Sequence, residues 1–190
     1  MKCDQRDEEQ IQKCIYEIAE TQGRLDILVN NACSPFNPSD IFSTGWDKFQ
    51  NILDVNVKGA FLFIREVSKI MKTQGQGRII NILSSYILGM PPEKLSFYVT
   101  AKYALLGLTR SAASELIQYG IAVNAVSPGL MVTDLSSYLP EKYLEIYRKF
   151  HPMKKMTETS DVANIVEFLV SDNANFLNGI NIPVNGGEMF

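Results

Sequence analysis

Short apolar runs alternate along the chain with longer stretches of helical period, a pattern that parallel strands joined by crossover helices produce. The runs predict strands at Leu25–Asn30, Arg78–Leu83, Ile121–Val126 and Ile180–Val184. Helical period predicts helices over Glu8–Thr21, Gly45–Lys72, Ser96–Tyr119, Pro140–Phe150 and Ser160–Val170, several with acidic residues in the first turn, where the helix dipole favours them. The expected fold is α/β, a doubly wound parallel sheet with helices on both faces, in one domain spanning 1–190. "LDILVN" is apolar almost throughout, as in a strand covered on both sides. The segment from Leu130 to Thr159 is the least regular. Its polar and aromatic pattern suits either a cover over a site or a plain surface helix.

Composition removes several classes. The 190 residues are 46% apolar and 21% charged with a formal net charge of -3, the profile of a soluble globular protein. Basic and acidic residues interleave, so a nucleic-acid partner is not expected. Apolar runs such as Ala60–Ile64 stop far short of the ~18 residues of a membrane span, and the polar opening "KCDQRDEEQ" does not read as a signal peptide. Cys3, Cys14 and Cys33 form no CxxC or Cys/His cluster; no metal site is expected, and three unclustered thiols suit a reducing, cytoplasmic setting. The single histidine, His151, would have to carry a Ser-His-Asp hydrolase unaided, and reads instead as a loop residue.

Candidate chemistry centres on "SFYVTAK". On a helix Tyr98 and Lys102 stand at i and i+4 on one face, roughly 5–6 Å apart at Cβ. An ammonium beside a phenol stabilises phenolate and lowers a pKa that is otherwise about 10, which makes the pair a candidate acid/base catalyst. Taken alone, the spacing equally describes a solvated helix face. Thirteen residues before Tyr98 lies Ser85, in "RIINILSS" at the carboxyl end of a predicted strand, where open α/β sheets bind ligands. Asn56 sits inside a helical pattern that asparagine disfavours, and a kink around a functional amide would account for it.

With these residues in view, the chain resembles the short-chain dehydrogenase/reductases, from about Asp4 to Gly187. "GRLDILVNNA", "NVKGAFL", "GRIINILSS", "YVTAKYALLGLTRSAASEL", "GIAVNAVSPGLMVTD" and "NGINIPVNGG" follow one another in that family's order. The resemblance implies that Tyr98 is the general acid, that Ser85 orients the substrate carbonyl, that Lys102 lowers the Tyr98 pKa and bonds the nicotinamide ribose, and that Asn56 holds a water relay. It implies NAD or NADP as cofactor, with Asn30 and Ala32 beside the adenosine, Asp4 near the adenine, Pro128 and Gly129 beside the nicotinamide and Thr133 on its carboxamide. Asp4 also suits a helix N-cap. Implied partners are a small carbonyl or alcohol substrate, a ketone or 3-oxoacyl thioester, and further copies of the chain in a homo-oligomer, tetramer or dimer, packed through the helices that hold Asn56 and Tyr98.

Three departures modify that picture. Cys33 stands where the family has glycine, and Asn185 where it has aspartate. A dinucleotide site needs a glycine-rich turn from a first strand into a helix, but Gly75-Gln76-Gly77 precedes a strand and lacks a third glycine. Lys2-Cys3-Asp4 resembles the end of the family's third strand. The expectation is therefore a partial Rossmann-like sheet without the N-terminal strands, "LDILVN" becoming an apolar edge. That describes a truncated product, one half of a split enzyme, or a remodelled assembly. An NAD(P)-dependent carbonyl reductase is the first functional reading. The second is a non-catalytic relic or interaction subunit that needs another chain to bind cofactor.

Overall fold

The computed structural model describes residues 2–189. Helix α1 (Glu8–Gln22) leads to strand β1 (Ile27–Asn30), then α2 (Trp46–Leu53) and α3 (Gly59–Gln74) with a π-helical turn, Asp54–Lys58, between them. Strand β2 (Gly77–Ile82), α4 (Ser96–Leu116) and β3 (Ile121–Pro128) follow, then α5 (Glu141–Phe150), α6 (Thr159–Val170) and β4 (Asn181–Val184). The strands pair in chain order, all parallel, with Ile27 opposite Arg78, Ile79 opposite Val123 and Val126 opposite Ile182.

Strand alternation sorts the core into two layers. Ile79, Ile121 and Val123 pack with Ile11 and Ile15 of α1 and Leu62 and Val67 of α3, whereas Ile80, Ile82 and Val126 pack with Leu169 of α6. Helices therefore cover both faces, as the sequence pattern predicts. The predicted helix over Gly45–Lys72 is divided at the π-helical turn, and Asn56 lies inside it. An extra residue per turn shifts the helix face, which is the kink that a buried asparagine there required.

Strand β1 is an edge of this sheet. Leu28 packs into the α1–α3 layer, while Ile27 and Val29 on the opposite face are 47% and 41% exposed, the α6 layer there packing on β2, β3 and β4. The edge is as apolar as "LDILVN" predicted. Gly75 ends α3 in the left-handed region, φ 71, and Gly77 opens β2, so this G-x-G turns a helix into a strand.

His151 is a buried tie at the end of α5. Its Nδ1 accepts from Met153 N–H at 3.1 Å, which leaves Nε2 to donate to the Asn185 carbonyl at 2.9 Å. The ring thus fastens the segment over the sheet to the turn after β4.

Candidate active site

A cavity of about 430 Å³ opens at the carboxyl edge of β2 and β3. Tyr98, Lys102, Ser84, Tyr86, Phe36 and Tyr138 line it, with Ala32, Cys33, Pro128, Gly129 and Thr133. Leu130, Met131, Leu135 and Ser136 close one side, so the irregular segment after β3 is a cover over the site. The first turns of α4 supply the central groups: Tyr98 and Lys102 are 7% and 3% exposed on the same helix face. Phe36 packs on the Tyr98 ring at 4.9 Å between centroids and edge-on to Phe97 at 5.3 Å, which fixes the phenol's direction.

Lys102 Nζ donates to the Ile82 carbonyl at 2.9 Å and stands 5.5 Å from the Tyr98 ring centroid. The expected lowering of the phenol's pKa is not what this geometry gives. Burial, with Cys33 adding to it, holds Tyr98 above its ordinary value, and the nearby Ser84 hydroxyl only partly opposes that. Burial likewise pulls Lys102 below the usual lysine range. Its folded-state pKa is depressed, so the charge costs stability in full below that value and costs nothing once pH passes the ordinary 10.5. Wild type should therefore gain stability relative to Lys102→Met as pH rises from 7 toward 9.5, checked by paired denaturant melts. A constant difference would show that the amine is not desolvated.

The structure moves one predicted residue out of the site. Ser85 Oγ is buried, has no hydrogen-bond partner, and does not reach the cavity. The neighbouring Ser84 does. It is extended, φ -163 and ψ 146, and its Oγ accepts from Tyr86 N–H at 3.3 Å, capping the short turn Ser85–Ile87. The chain leaves β2 with Ser84 lining the cavity that holds the phenol and Ser85 Oγ buried in the protein. Both serines end the strand segment "RIINILSS", fourteen and thirteen residues before Tyr98, and that position alone does not say which hydroxyl faces the cavity.

Asn56 lies behind the cavity wall. Its Nδ2 donates to the Ile52 carbonyl at 3.0 Å and to Cys33 Sγ at 3.5 Å, while Oδ1 is buried without a partner. Cys33 itself has no positive φ, so the backbone does not demand glycine there and a small side chain suffices.

The predicted cofactor residues divide between this cavity and a groove along β1. Asp4 and Asn30 line the groove, which joins the cavity through Asn31, Ala32 and Cys33. The Asp4 carboxylate is clamped by Arg6, Nη2 to Oδ2 at 2.7 Å, which lowers its pKa to about 2. Asn30 Nδ2 donates to Asn81 Oδ1 at 2.8 Å, and Asn81 in turn donates to Thr109 at 2.9 Å, so this amide anchors the turn after β1 to the sheet. Gly129 is required by packing, since a Cβ there would stand 2.8 Å from Thr157 Oγ1. Thr133 caps the turn Asp134–Ser136. These residues suit a nicotinamide and its ribose beside Tyr98. Among the described residues no glycine-rich turn runs from a strand into a helix to receive a pyrophosphate.

No helix among the described residues is long and apolar enough to cross a membrane, and none of their His, Cys, Asp and Glu side chains form a metal-holding group of three. Residues 1–188 match the family model described as Enoyl-(Acyl carrier protein) reductase. The chain is 36% identical over 179 residues to a 3-oxoacyl-(acyl-carrier-protein) reductase of Staphylococcus epidermidis, covering 94% of this chain and 72% of that protein. It is 34% identical to a levodione reductase of Leifsonia aquatica, covering 97% and 72%. A solved 3-ketoacyl-(acyl-carrier-protein) reductase from Brucella melitensis, complexed with NADH, superposes with a TM-score of 0.91 at 27% identity, covering 99% of this chain and 77% of that one. Matching sequence order, parallel sheet and near-complete family match together establish that the chain belongs to the short-chain dehydrogenase/reductase family of oxidoreductases.

Proposed function

We propose that the protein interconverts a carbonyl and an alcohol, with a 3-oxoacyl thioester or related ketone as substrate and NADH or NADPH as partner. The observation that carries this reading is one cavity holding a buried phenol, the nearby Ser84 hydroxyl and the Lys102 ammonium one helical turn away. When bound, a dihydronicotinamide supplies the hydride that the carbonyl carbon accepts.

The side chains do the rest. Ser84, in the role first expected of Ser85, donates a hydrogen bond to the carbonyl oxygen and holds it against the phenol. Tyr98 keeps its proton until oxygen becomes alkoxide and then gives it up, which a phenol raised by burial is suited to do. Lys102 holds the nicotinamide ribose, and Asn56 Oδ1, buried with no protein partner, would hold a water that returns the proton. Ala32, Pro128, Gly129 and Thr133 flank the nicotinamide, Asn30 fixes the turn beside the adenosine and Asp4 stands near the adenine. The apolar part of the lining, Phe36, Leu95 and Tyr138 among it, suits an acyl chain and excludes water. Copies of the chain assemble through α2, α3 and α4, whose Trp46, Phe61 and Tyr103 present large exposed apolar faces.

The test is titration of the purified chain with NADH and NADPH by nicotinamide fluorescence, then addition of 3-oxoacyl thioesters and ketones. Expected are saturation at micromolar cofactor and substrate-dependent loss of nicotinamide absorbance. The same assay is repeated with a polypeptide carrying a relative's glycine-rich first strand and helix. Absence of oxidation in both formats would overturn the reading.

A further inference from the structure

Both ends of the cover over the cavity are held by one short segment, residues 185–189 after β4. At the first end, Gly129 N–H donates to the Val184 carbonyl at 2.9 Å, and a Cβ on Gly129 would stand 3.2 Å from Asn185 Cα, so the chain leaves β3 in contact with this segment. At the other end α5 meets it twice. His151 Nε2 donates to the Asn185 carbonyl at 2.9 Å, and one turn earlier the Tyr147 hydroxyl donates to Glu188 Oε2 at 2.5 Å. The Tyr147 and His151 rings lie 5.6 Å apart between centroids. The segment is folded on itself, Asn185 Nδ2 donating to the Met189 carbonyl at 2.8 Å and Asn185 Oδ1 accepting from Gly187 N–H at 3.1 Å. Apolar packing holds α5 weakly: among its described residues Leu144 alone is buried, while Tyr143, Ile146 and Phe150 are exposed. A helix with so little buried apolar surface opens at low cost unless polar contacts restrain it.

We propose that Tyr147 and Glu188 are positioning residues of the candidate active site, a strap that sets how closely the cover lies on the cavity. Neither lines the cavity, so both act through the cover. Tyr138 does line it, and stands two residues before Pro140, the cap of α5. Its ring lies 6.3 Å from that of Phe36, which in turn packs on Tyr98 at 4.9 Å. A displacement of α5 therefore reaches the phenol through two aromatic contacts. The strap is the releasable tie of the two. His151 and Asn185 are 4% exposed, whereas Tyr147 and Glu188 are only partly buried and compete with water for their bond. A phenol donating to a carboxylate makes one of the stronger side-chain hydrogen bonds, and burial together with the facing carboxylate keeps Tyr147 in its donor form. The strap belongs to the fold itself; only its effect on substrate rests on the reductase reading.

The experiment is backbone amide hydrogen exchange on the purified chain, its Tyr147→Phe and Glu188→Ala variants and the double variant. Amides of the cover and of α5 should exchange about tenfold faster in either single variant, the loss expected when a hydrogen bond to a charged group is removed, with β2 and β3 unchanged. The double variant should exchange no faster than either single one, because both remove the same bond. Glu188→Gln, whose amide oxygen still accepts from the phenol, should restore most of the protection. Arg148→Ala, which breaks an exposed ion pair with Glu141 on the same helix, should leave the cover as in the parent. In turnover, the strap variants should raise KM for the carbonyl substrate by about fivefold with kcat within about twofold of the parent. Unchanged exchange in both single variants, increases that multiply in the double variant, or faster exchange at an unmoved KM would overturn the proposal. A chain that turns over no carbonyl compound yet shows this exchange pattern would overturn the reductase reading and leave the strap in place.

Discussion

Ser84→Ala is expected to lower kcat for carbonyl reduction by about a hundredfold, the usual loss when one donor to a developing oxyanion is removed, while Ser85→Ala stays within about twofold of the parent. The contrast rests on orientation alone, since the two residues are chemically identical and adjacent. Ser84 lines the cavity that holds the phenol, whereas Ser85 Oγ is buried with no partner. Stability should move the other way. Ser85→Ala removes an unsatisfied buried hydroxyl and should be neutral or slightly stabilising, because deleting such a group relieves its desolvation cost. Ser84→Ala loses the cap over Ser85–Ile87, worth about 1 kcal/mol. Paired steady-state kinetics and thermal melts on the two variants separate the cases. Equal losses of kcat would mean that the turn after β2 rearranges when substrate binds.

That pair also shows how far the sequence could be read. Elements with strong periodicity were legible to their ends or nearly so: β3 was expected over Ile121–Val126 and runs to Pro128, and α5 was expected over Pro140–Phe150 and begins at Glu141. Asn56 was legible because asparagine is costly in a helix, and the π-helical turn is how the chain accommodates it. Side-chain direction at the end of a strand was not legible. Alternation fixes it only while the chain is extended, and the change from an extended Ser84 to a helical turn at Ser85 depends on backbone hydrogen bonds that no periodicity reports. The sign of the Tyr98 shift was hidden for a related reason. Spacing places an ammonium near a phenol but says nothing of how deeply both are buried, and here burial outweighs the charge. The role of His151 was hidden too, since its partners Met153 and Asn185 come from a turn and from a residue beyond β4.

Tyr98→Phe should lower turnover by about a thousandfold, within the range that a positioned general acid contributes, and leave the fold in place. The ring keeps its contacts with Phe36, so the only group lost is one buried hydroxyl, at a cost of about 1 kcal/mol in a thermal melt. The direction of the phenol's shift adds a second readout. A phenol raised by burial is fully protonated near neutrality, so reduction, which needs the acid form, should be nearly flat with pH across that range. Oxidation of the product alcohol needs the phenolate and should climb as pH rises toward the phenol's value, by close to tenfold per unit. In the phenylalanine variant both the magnitude and the pH slope should vanish together. A variant with parental rates would remove Tyr98 from the chemistry. A variant that is slow yet keeps the rising slope for oxidation would assign the titrating group elsewhere in the cavity, with Lys102 the first to replace.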